Sequence, residues 1–195
     1  ILTMVNTIKL KLTGLQQNIL RLLFIKSGKS LNQRGIAKIL SVSPPAIMKA
    51  IPNLEKNNYI RIKQDKESKR WSIELNRDNY KIMYLKRVDN LKQIYESKLL
   101  ECLEQEFAGS TIILFGSYSR GEDTENSDTD IAIIGRKEKN INLNKYEKLL
   151  DRRINLNFYE SFSKIHKNLK ENLFNGIVLS GGIELWKLLK ILKNF

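Results

Sequence analysis

The sequence predicts a chain of mixed α+β or α/β class in two parts. The first part is helical and ends in a β-hairpin, because apolar residues recur at helical spacing up to about residue 56 and two alternating runs, YIRIKQ and RWSIEL, follow. The second part begins after Gly109, where short apolar strands interleave with helices. That alternation is typical of an α/β unit.

Composition bounds the class of protein. The chain has 195 residues, of which 42% are hydrophobic, which is enough for one large domain or two small ones. A single cysteine, Cys102, excludes an intrachain disulfide, and the lone His166 excludes a Cys/His zinc site of ordinary spacing. No apolar run approaches the roughly 20 residues of a membrane span. We therefore expect a cytoplasmic protein without a membrane partner.

The positive charge is concentrated in the first half. The net charge is +13; residues 1–90 hold 18 Lys and Arg against 6 Asp and Glu, and residues 91–195 hold 16 against 15. A basic excess in one half of a chain is typical of a module that binds nucleic acid, because each neutralised phosphate releases counterions. A Lys-rich habit of the source organism is the alternative, but such a habit would raise both halves.

Three helices are predicted before the hairpin. The first runs from Leu15 to Ile25 and is stopped by Ser27-Gly28, and the second begins near Ser30. The third follows the turn SVS, with Ser43 as its N-cap and Pro44 at its first position, where the missing N–H has no cost.

Three helices, the short SVS turn and a hairpin in this order resemble a winged helix-turn-helix domain, here residues 10–77. The resemblance implies binding to double-stranded DNA, with the third helix in the major groove and the hairpin tip along the phosphates. A docking module that never touches DNA is the alternative. The implied DNA-facing residues are Ser43, Pro45, Met48, Lys49, Asn53 and Lys56 on the third helix and Lys66, Lys69 and Arg70 at the tip.

One long helix is predicted from about residue 79 to 107, because this stretch lacks Gly and Pro. We assign residues 78–108 to a connecting segment. Its apolar residues recur at steps of three and four, the spacing of a coiled coil. The helix would join two chains in a homodimer or pack on the neighbouring domain. The stripe consists of Leu85, Val88, Leu91, Tyr95, Leu99, Cys102 and Leu103.

Two carboxylates, Asp128 and Asp130, stand at the start of the apolar strand DIAIIG. Residues two apart on a strand point to the same side, so their side chains should project together. Carboxylates that close repel, and a divalent cation relieves the repulsion for both at once. Upstream, Gly116-Ser117 ends another strand at a turn into a helix, which favours phosphate binding. The pattern predicts a nucleoside triphosphate site with Mg²⁺.

The string Gly116-Ser117, ten further residues and Asp128-Thr129-Asp130, with Arg120-Gly121 between, resembles the signature of minimal nucleotidyltransferases of the DNA polymerase β-like superfamily. The resemblance implies a nucleotidyltransferase domain over residues 109–195 with a mixed sheet. It implies that Asp128 and Asp130 are catalytic and bind Mg²⁺, and that Gly116 and Ser117 hold the triphosphate of ATP or another nucleotide. Arg120 either assists the phosphates or pairs with Glu122 or Asp123, and Tyr118 would narrow the site or stack in it.

One departure from the family pattern concerns the third carboxylate. Active members supply it from a following strand, and the matching strand here, INLNF, has Asn155 and Asn157 at its polar positions. An amide cannot accept a proton. Asp151 and Glu160 flank the strand as alternative sources, although neither fits the alternation.

Two functions follow from this departure. One is nucleotidyl transfer to a hydroxyl of a nucleic acid or of a protein, with toxin-like helical proteins as the acceptor class that the resemblance suggests. The other is a DNA-binding regulator whose degenerate second domain only binds nucleotide.

Overall fold

A computed structural model describes residues 12–64 and 71–183 of the chain. Contacts divide the chain into two compact units, Ile1–Asn76 and Arg77–Phe195. The hairpin tip with Lys66, Lys69 and Arg70, and the helix predicted after Ile183, lie outside the described residues.

The N-terminal unit has the predicted helices and hairpin. Its elements are α1 (Gly14–Ile25), β1 (Leu31–Asn32), α2 (Gln33–Ile39), α3 (Pro44–Lys56), β2 (Ile60–Gln64) and β3 (Trp71–Leu75). The strands β2 and β3 pair antiparallel, and the short β1 adds a third strand against β3. The winged-helix prediction is thereby confirmed. The strand β1 was not predicted, because two residues are too few to show an alternating pattern.

Side-chain caps fix where these helices begin. The Thr13 hydroxyl and the Gln16 side chain each bond the other's backbone N–H, which forms a capping box at α1. The Ser43 Oγ accepts from the Ala46 N–H at 3.4 Å, and Pro44 and Pro45 occupy the first turn of α3. Residues from all three helices and from the hairpin form the core, including Ile19, Leu23, Ile36, Ile47, Leu54, Ile60 and Ile73.

The C-terminal unit is built on a mixed four-stranded sheet. Its helices and strands are α4 (Tyr80–Glu96), α5 (Leu99–Glu106), β4 (Thr111–Phe115), α6 (Gly116–Arg120), β5 (Thr129–Ile134), α7 (Asn144–Leu150), β6 (Ile154–Tyr159), a 3₁₀ turn (Phe162–Lys164), α8 (Lys167–Phe174) and β7 (Ile177–Ser180). The sheet order is β6-β5-β4-β7, with β5 and β6 parallel and the other pairs antiparallel. The predicted mixed sheet is confirmed.

The two central strands of the sheet, β4 and β5, are buried on both faces. On one face Ile112, Leu114, Ile131 and Ile133 pack with residues of α4, α5 and α7. On the other face Ile113, Phe115, Ala132 and Ile134 pack with Ile165 and Leu173. Burial on both faces explains why β4 and β5 are continuous apolar runs.

The prediction of a single helix over residues 79–107 is wrong, because the structure has two helices there, α4 and α5. Lys98 adopts a left-handed conformation, with φ of 63°, between α4 and α5. The Ser97 hydroxyl donates to the Ile94 carbonyl, a side-chain bond that competes with helix continuation. Neither residue is Gly or Pro, so the sequence carries no breaker signal at this point.

The break also divides the predicted apolar stripe. Leu99 and Leu103 are fully buried in the sheet core, whereas Val88 and Tyr95 are 65% and 46% exposed. Both helices belong to the compact unit Arg77–Phe195. A separate role for residues 78–108 as a connecting segment stays a prediction. Among the described residues, no helix is both long enough and apolar enough to cross a membrane.

Candidate functional site

The predicted carboxylates meet at one edge of the sheet. Asp128 immediately precedes β5, and Asp130 is its second residue, level with Asn155 of the parallel strand β6. The Asn155 Nδ2 donates to Asp128 Oδ2 at 3.1 Å and to Asp130 Oδ1 at 3.3 Å. Both carboxylates therefore reach one small group, and both are half-buried rather than sealed in the core.

Gly116 lies directly against this pair. It follows β4, whose last residue Phe115 pairs with Asp130, and its φ is +74°. A Cβ at this position would come within 2.7 Å of Asp130 Oδ2. Glycine is thus required twice here, for its backbone conformation and for the closeness of the carboxylate. Ser117 follows at the first turn of α6 and is partly exposed.

The donor set fits a hard divalent cation. Mg²⁺ binds hard oxygen ligands, above all carboxylates, and Asp128 and Asp130 supply two of these, while the Oδ1 of a reoriented Asn155 would supply a weaker amide oxygen. Within residues 12–64 and 71–183, no group of three or more His, Cys, Asp or Glu side chains is arranged to hold a metal. The site therefore has two carboxylates and an amide.

The strand register determines which residue occupies the place of the expected third carboxylate. Asn155 is level with Asp130, whereas Asn157 is two residues further along and level with Ala132. Glu160 is five residues from Asn155, about 16 Å along an extended strand, and pairs with Lys164. Asp151 lines the same groove as Asp128. Asn155 therefore occupies the place where a third carboxylate was expected.

Arg120 forms an ion pair beside the site. Its Nε lies 2.7 Å from the Glu122 Oε2. Of the two expected surface partners, Glu122 and Asp123, Arg120 therefore pairs with Glu122. Its expected contact with nucleotide phosphates stays a prediction. The expectation that Tyr118 lines the site is wrong, because this residue is only 3% exposed and its hydroxyl donates to the Asn90 carbonyl. It neither narrows the site nor stacks in it.

Asp123 anchors the segment that leads to Asp128. Its side chain is fully buried and its Oδ2 pairs with Arg152 Nη2 at 2.8 Å. Its Oδ1 accepts from Asn90 Nδ2 at 2.7 Å and from the Nζ of Lys86, which is itself fully buried. Burial lowers the pKa of Lys86 to about 8, against the opposing attraction of Asp123. We call Lys86, Asn90, Asp123 and Arg152 the Asp123 cluster.

The Asp123 cluster joins the parts of the site. Asn90 also donates to the carbonyl of Tyr118 in α6, and Arg152 donates to the carbonyls of Thr124 and Ser127 just before Asp128. The sequence does not predict this cluster. Its pattern places Asp123 only as a surface partner of Arg120, and nothing in the sequence distinguishes Lys86 from the other lysines of its helix.

An open groove of about 660 Å³ begins at Asp128. It is bounded by the segment before Asp128, by α7 and by the residues that lead into β6, with Lys148 and Arg153 exposed on its walls. Asp128 is the member of the carboxylate pair that lines this groove.

The third helix of the N-terminal unit presents an exposed polar face. Ser43, Pro45, Lys49 and Lys56 are exposed, as is Met48 at 44%. Asn53, one turn after Lys49, is half-buried, and its Nδ2 donates to the Oε1 of the buried Gln16. Its expected contact with DNA stays a prediction.

Family comparison agrees with this division of the chain. Residues 96–179 match the family described as nucleotidyltransferase domain. The C-terminal unit contains a nucleotidyltransferase domain. Residues 12–71 match the MarR family, so the chain also carries a MarR-type winged-helix domain. No curated protein matches the chain.

Solved structures similar to the chain include forms of the S. aureus protein MepR. A MepR–DNA complex from S. aureus is 25% identical, over 49% of this chain and 81% of that chain, with a TM-score of 0.35. A MepR mutant from a multidrug-resistant S. aureus clinical isolate is 27% identical, over 37% of this chain, with a TM-score of 0.33. This chain spans 53% of that mutant's length. TM-scores this low add nothing to the assignment of the winged-helix domain, which rests on the family match and the observed elements.

Proposed function

We propose that the chain is a Mg²⁺-dependent nucleotidyltransferase that transfers a nucleotidyl group, AMP from ATP in the simplest case, to a hydroxyl of a protein or nucleic acid. The convergence of Asp128 and Asp130 on a single amide, with Gly116 held against Asp130, carries this proposal. Two half-buried carboxylates in this arrangement repel unless a cation lies between them. The nucleotidyltransferase match over residues 96–179 supports the same reaction class.

Each residue has a role in the proposed reaction. Asp128 and Asp130 hold Mg²⁺, which when bound neutralises phosphate charge and stabilises the pyrophosphate leaving group. The Gly116 backbone lets the triphosphate approach closely, and the Ser117 hydroxyl donates to a phosphate oxygen. The acceptor oxygen bonds to the α-phosphorus while the bond to pyrophosphate breaks. The acceptor's proton passes to water, because the amide of Asn155 cannot take it.

Asn155 favours a second candidate function. Loss of a general base costs about 10²- to 10⁴-fold in rate, so a site with Asn155 could bind nucleotide with little turnover. The chain would then be a DNA-binding regulator that responds to nucleotide. The two functions share the metal and nucleotide site. They differ only in whether the nucleotidyl group is transferred to an acceptor.

Label transfer distinguishes the two functions. The full chain is incubated with Mg²⁺ and ATP labelled at the α-phosphate, with nucleic acid or a small helical toxin-like protein from the genomic neighbourhood as acceptor. Transfer by the native chain that is absent from Asp128→Asn/Asp130→Asn supports the enzyme. Nucleotide binding without transfer by the native chain, together with transfer by Asn155→Asp, supports the regulator.

For the N-terminal unit we propose binding to double-stranded DNA through the exposed face of α3. The MarR-type domain and the basic first half of the chain support this partner.

A homodimer is proposed through α4, where the exposed Val88 and Tyr95 and the half-buried Leu91 follow coiled-coil spacing. Val88→Glu should then convert a dimer to a monomer in sedimentation equilibrium, and an unchanged mass contradicts this interface.

A further inference from the structure

Arg152 binds the backbone of the segment that leads into Asp128. Its Nη1 donates to the carbonyl of Ser127 at 3.3 Å and also to the carbonyl of Thr124. The carbonyl of Ser127 belongs to the peptide bond that joins Ser127 to Asp128. Because a peptide group is planar, a hydrogen bond to this carbonyl also restricts the N–H and the Cα of Asp128. Arg152 therefore acts on the first carboxylate of the pair through the backbone.

The segment that Arg152 binds is a tight turn. The Ser127 N–H donates to the Thr124 carbonyl at 3.1 Å, and the Thr124 N–H donates to Ser127 Oγ at 2.9 Å. These two bonds close the turn from within. Since Arg152 bonds the carbonyls at both ends of the turn, it determines where the closed turn lies relative to the sheet.

The guanidinium of Arg152 is itself held in one place. Its Nη2 lies 2.8 Å from Asp123 Oδ2, and its side chain is 2% exposed. Its central carbon lies 5.7 Å from the centroid of the Tyr118 ring, within the range of a cation–π contact. One planar group thus spans a carboxylate on one side and two carbonyls on the other. A lysine ammonium is a compact point charge and cannot reproduce that span.

Asp128 depends on this support more than Asp130 does. Asp130 lies inside β5 and is paired on both sides, with β4 and with β6. Asp128 precedes the strand, so the sheet fixes it only through Thr129. On its other side the turn that ends at Ser127 fixes it.

We propose that Arg152 is a positioning residue of the metal site, which sets the affinity for the divalent cation by holding Asp128 beside Asp130. This inference rests on the proposed function, in which the two carboxylates hold the cation. Removing a group that orients a metal ligand typically costs about 10- to 100-fold in metal affinity. Arg152→Lys keeps the positive charge beside Asp123 and loses the span to the carbonyls, so any change in metal affinity reports geometry.

Mn²⁺ binding to the full chain, measured by electron paramagnetic resonance of the free ion, tests the assignment. Arg152→Lys should weaken Mn²⁺ binding about 10- to 100-fold. Ser127→Ala removes the Oγ that holds the Thr124 N–H and should weaken Mn²⁺ binding by a smaller factor, with the buried ion pair intact. Arg153→Lys is the matched control, the same substitution at the exposed neighbouring position, and should leave Mn²⁺ affinity unchanged.

Hydrogen exchange separates positioning from a loss of folding. In Arg152→Lys, peptides that cover residues 124–128 should exchange faster while β4 and β5 stay protected. Unfolding of β4 and β5 that accounts for the whole loss of Mn²⁺ binding overturns the assignment, as does an equal loss in Arg153→Lys.

Unchanged Mn²⁺ affinity in Arg152→Lys also overturns it. If Arg152→Lys does not fold, Ser127→Ala decides, because Arg152 is proposed to act through this turn: unchanged affinity in that variant refutes the positioning role. If the native chain binds no Mn²⁺, the proposed metal site itself fails. That result is distinguishable because it precedes any substitution.

Discussion

Asp123→Asn should destabilise the C-terminal unit strongly, because it removes the anion from the Asp123 cluster and keeps both cations. The side chains of Lys86 and Arg152 are 0% and 2% exposed, so water cannot replace the lost carboxylate. Removing one partner of a buried ion pair costs about 3–5 kcal/mol. Two cations lose their partner here, so we expect a loss near the upper value, about 5 kcal/mol.

Lys86→Met should have a much smaller effect. Asp123 keeps its 2.8 Å pair with Arg152 and its hydrogen bond from Asn90, so no charge is left alone. Since burial lowers the pKa of Lys86 to about 8, the cost of desolvating its charge exceeds the attraction of Asp123. Replacing such a lysine by an apolar side chain of similar length is expected to change the free energy of unfolding by no more than about 1–2 kcal/mol.

The assay is hydrogen exchange of the full chain, followed by mass spectrometry of peptides from β4 and β5. These strands lie in the buried sheet core, so their exchange reports the opening free energy of the C-terminal unit. The double variant Asp123→Asn/Lys86→Met should be more stable than Asp123→Asn alone, because one of the two unpaired cations is gone. Glu122→Gln, an adjacent but exposed carboxylate, is the matched control and should change little.

Equal losses for Asp123→Asn and Lys86→Met, with a double variant that shows their sum, would refute this reasoning. Additivity would mean that the two side chains do not share an electrostatic interaction. A loss for Glu122→Gln as large as that for Asp123→Asn would likewise show that the buried position of the charge is not the cause.

Three further predictions concern the metal site, pH and DNA. Gly116→Ala should weaken Mn²⁺ binding at least tenfold in calorimetry, because its Cβ would come within 2.7 Å of Asp130 Oδ2; Gly182→Ala, which has open space, should not. Lys86 sheds its proton near pH 8 when folded but near 10.5 when unfolded, so the unfolded state binds more protons in this interval. The free energy of unfolding should rise from pH 8 to 10.5 by up to about 3 kcal/mol relative to Lys86→Met, in urea titrations; a flat difference contradicts the burial of this charge. Lys49→Ala should weaken DNA binding and reduce the salt slope by about 1, whereas Asn53→Ala, tied to Gln16, should leave the slope unchanged.

Much of the fold was predictable because local signals agree with it. Ser43 and the prolines after it mark the start of α3, and alternation marks the hairpin. The pair Asp128 and Asp130 was also predictable, since a period of two places both side chains on one side of a strand. The break at Lys98 was not, because the left-handed residue there is not Gly and no proline follows it, so the chain has no breaker at this point.

The sequence by itself determined most of the helices and strands, the carboxylate pair and the absence of a third carboxylate from the polar positions of β6. Only the tertiary structure decided which asparagine faces the pair, because that depends on the parallel register that sets Asn155 beside Asp130. It also decided that Asp123 is a buried anchor and Tyr118 a core residue. Contacts between residues far apart in the chain, such as Lys86 with Asp123, depend on how helices and strands pack, and no periodicity within either segment encodes that packing.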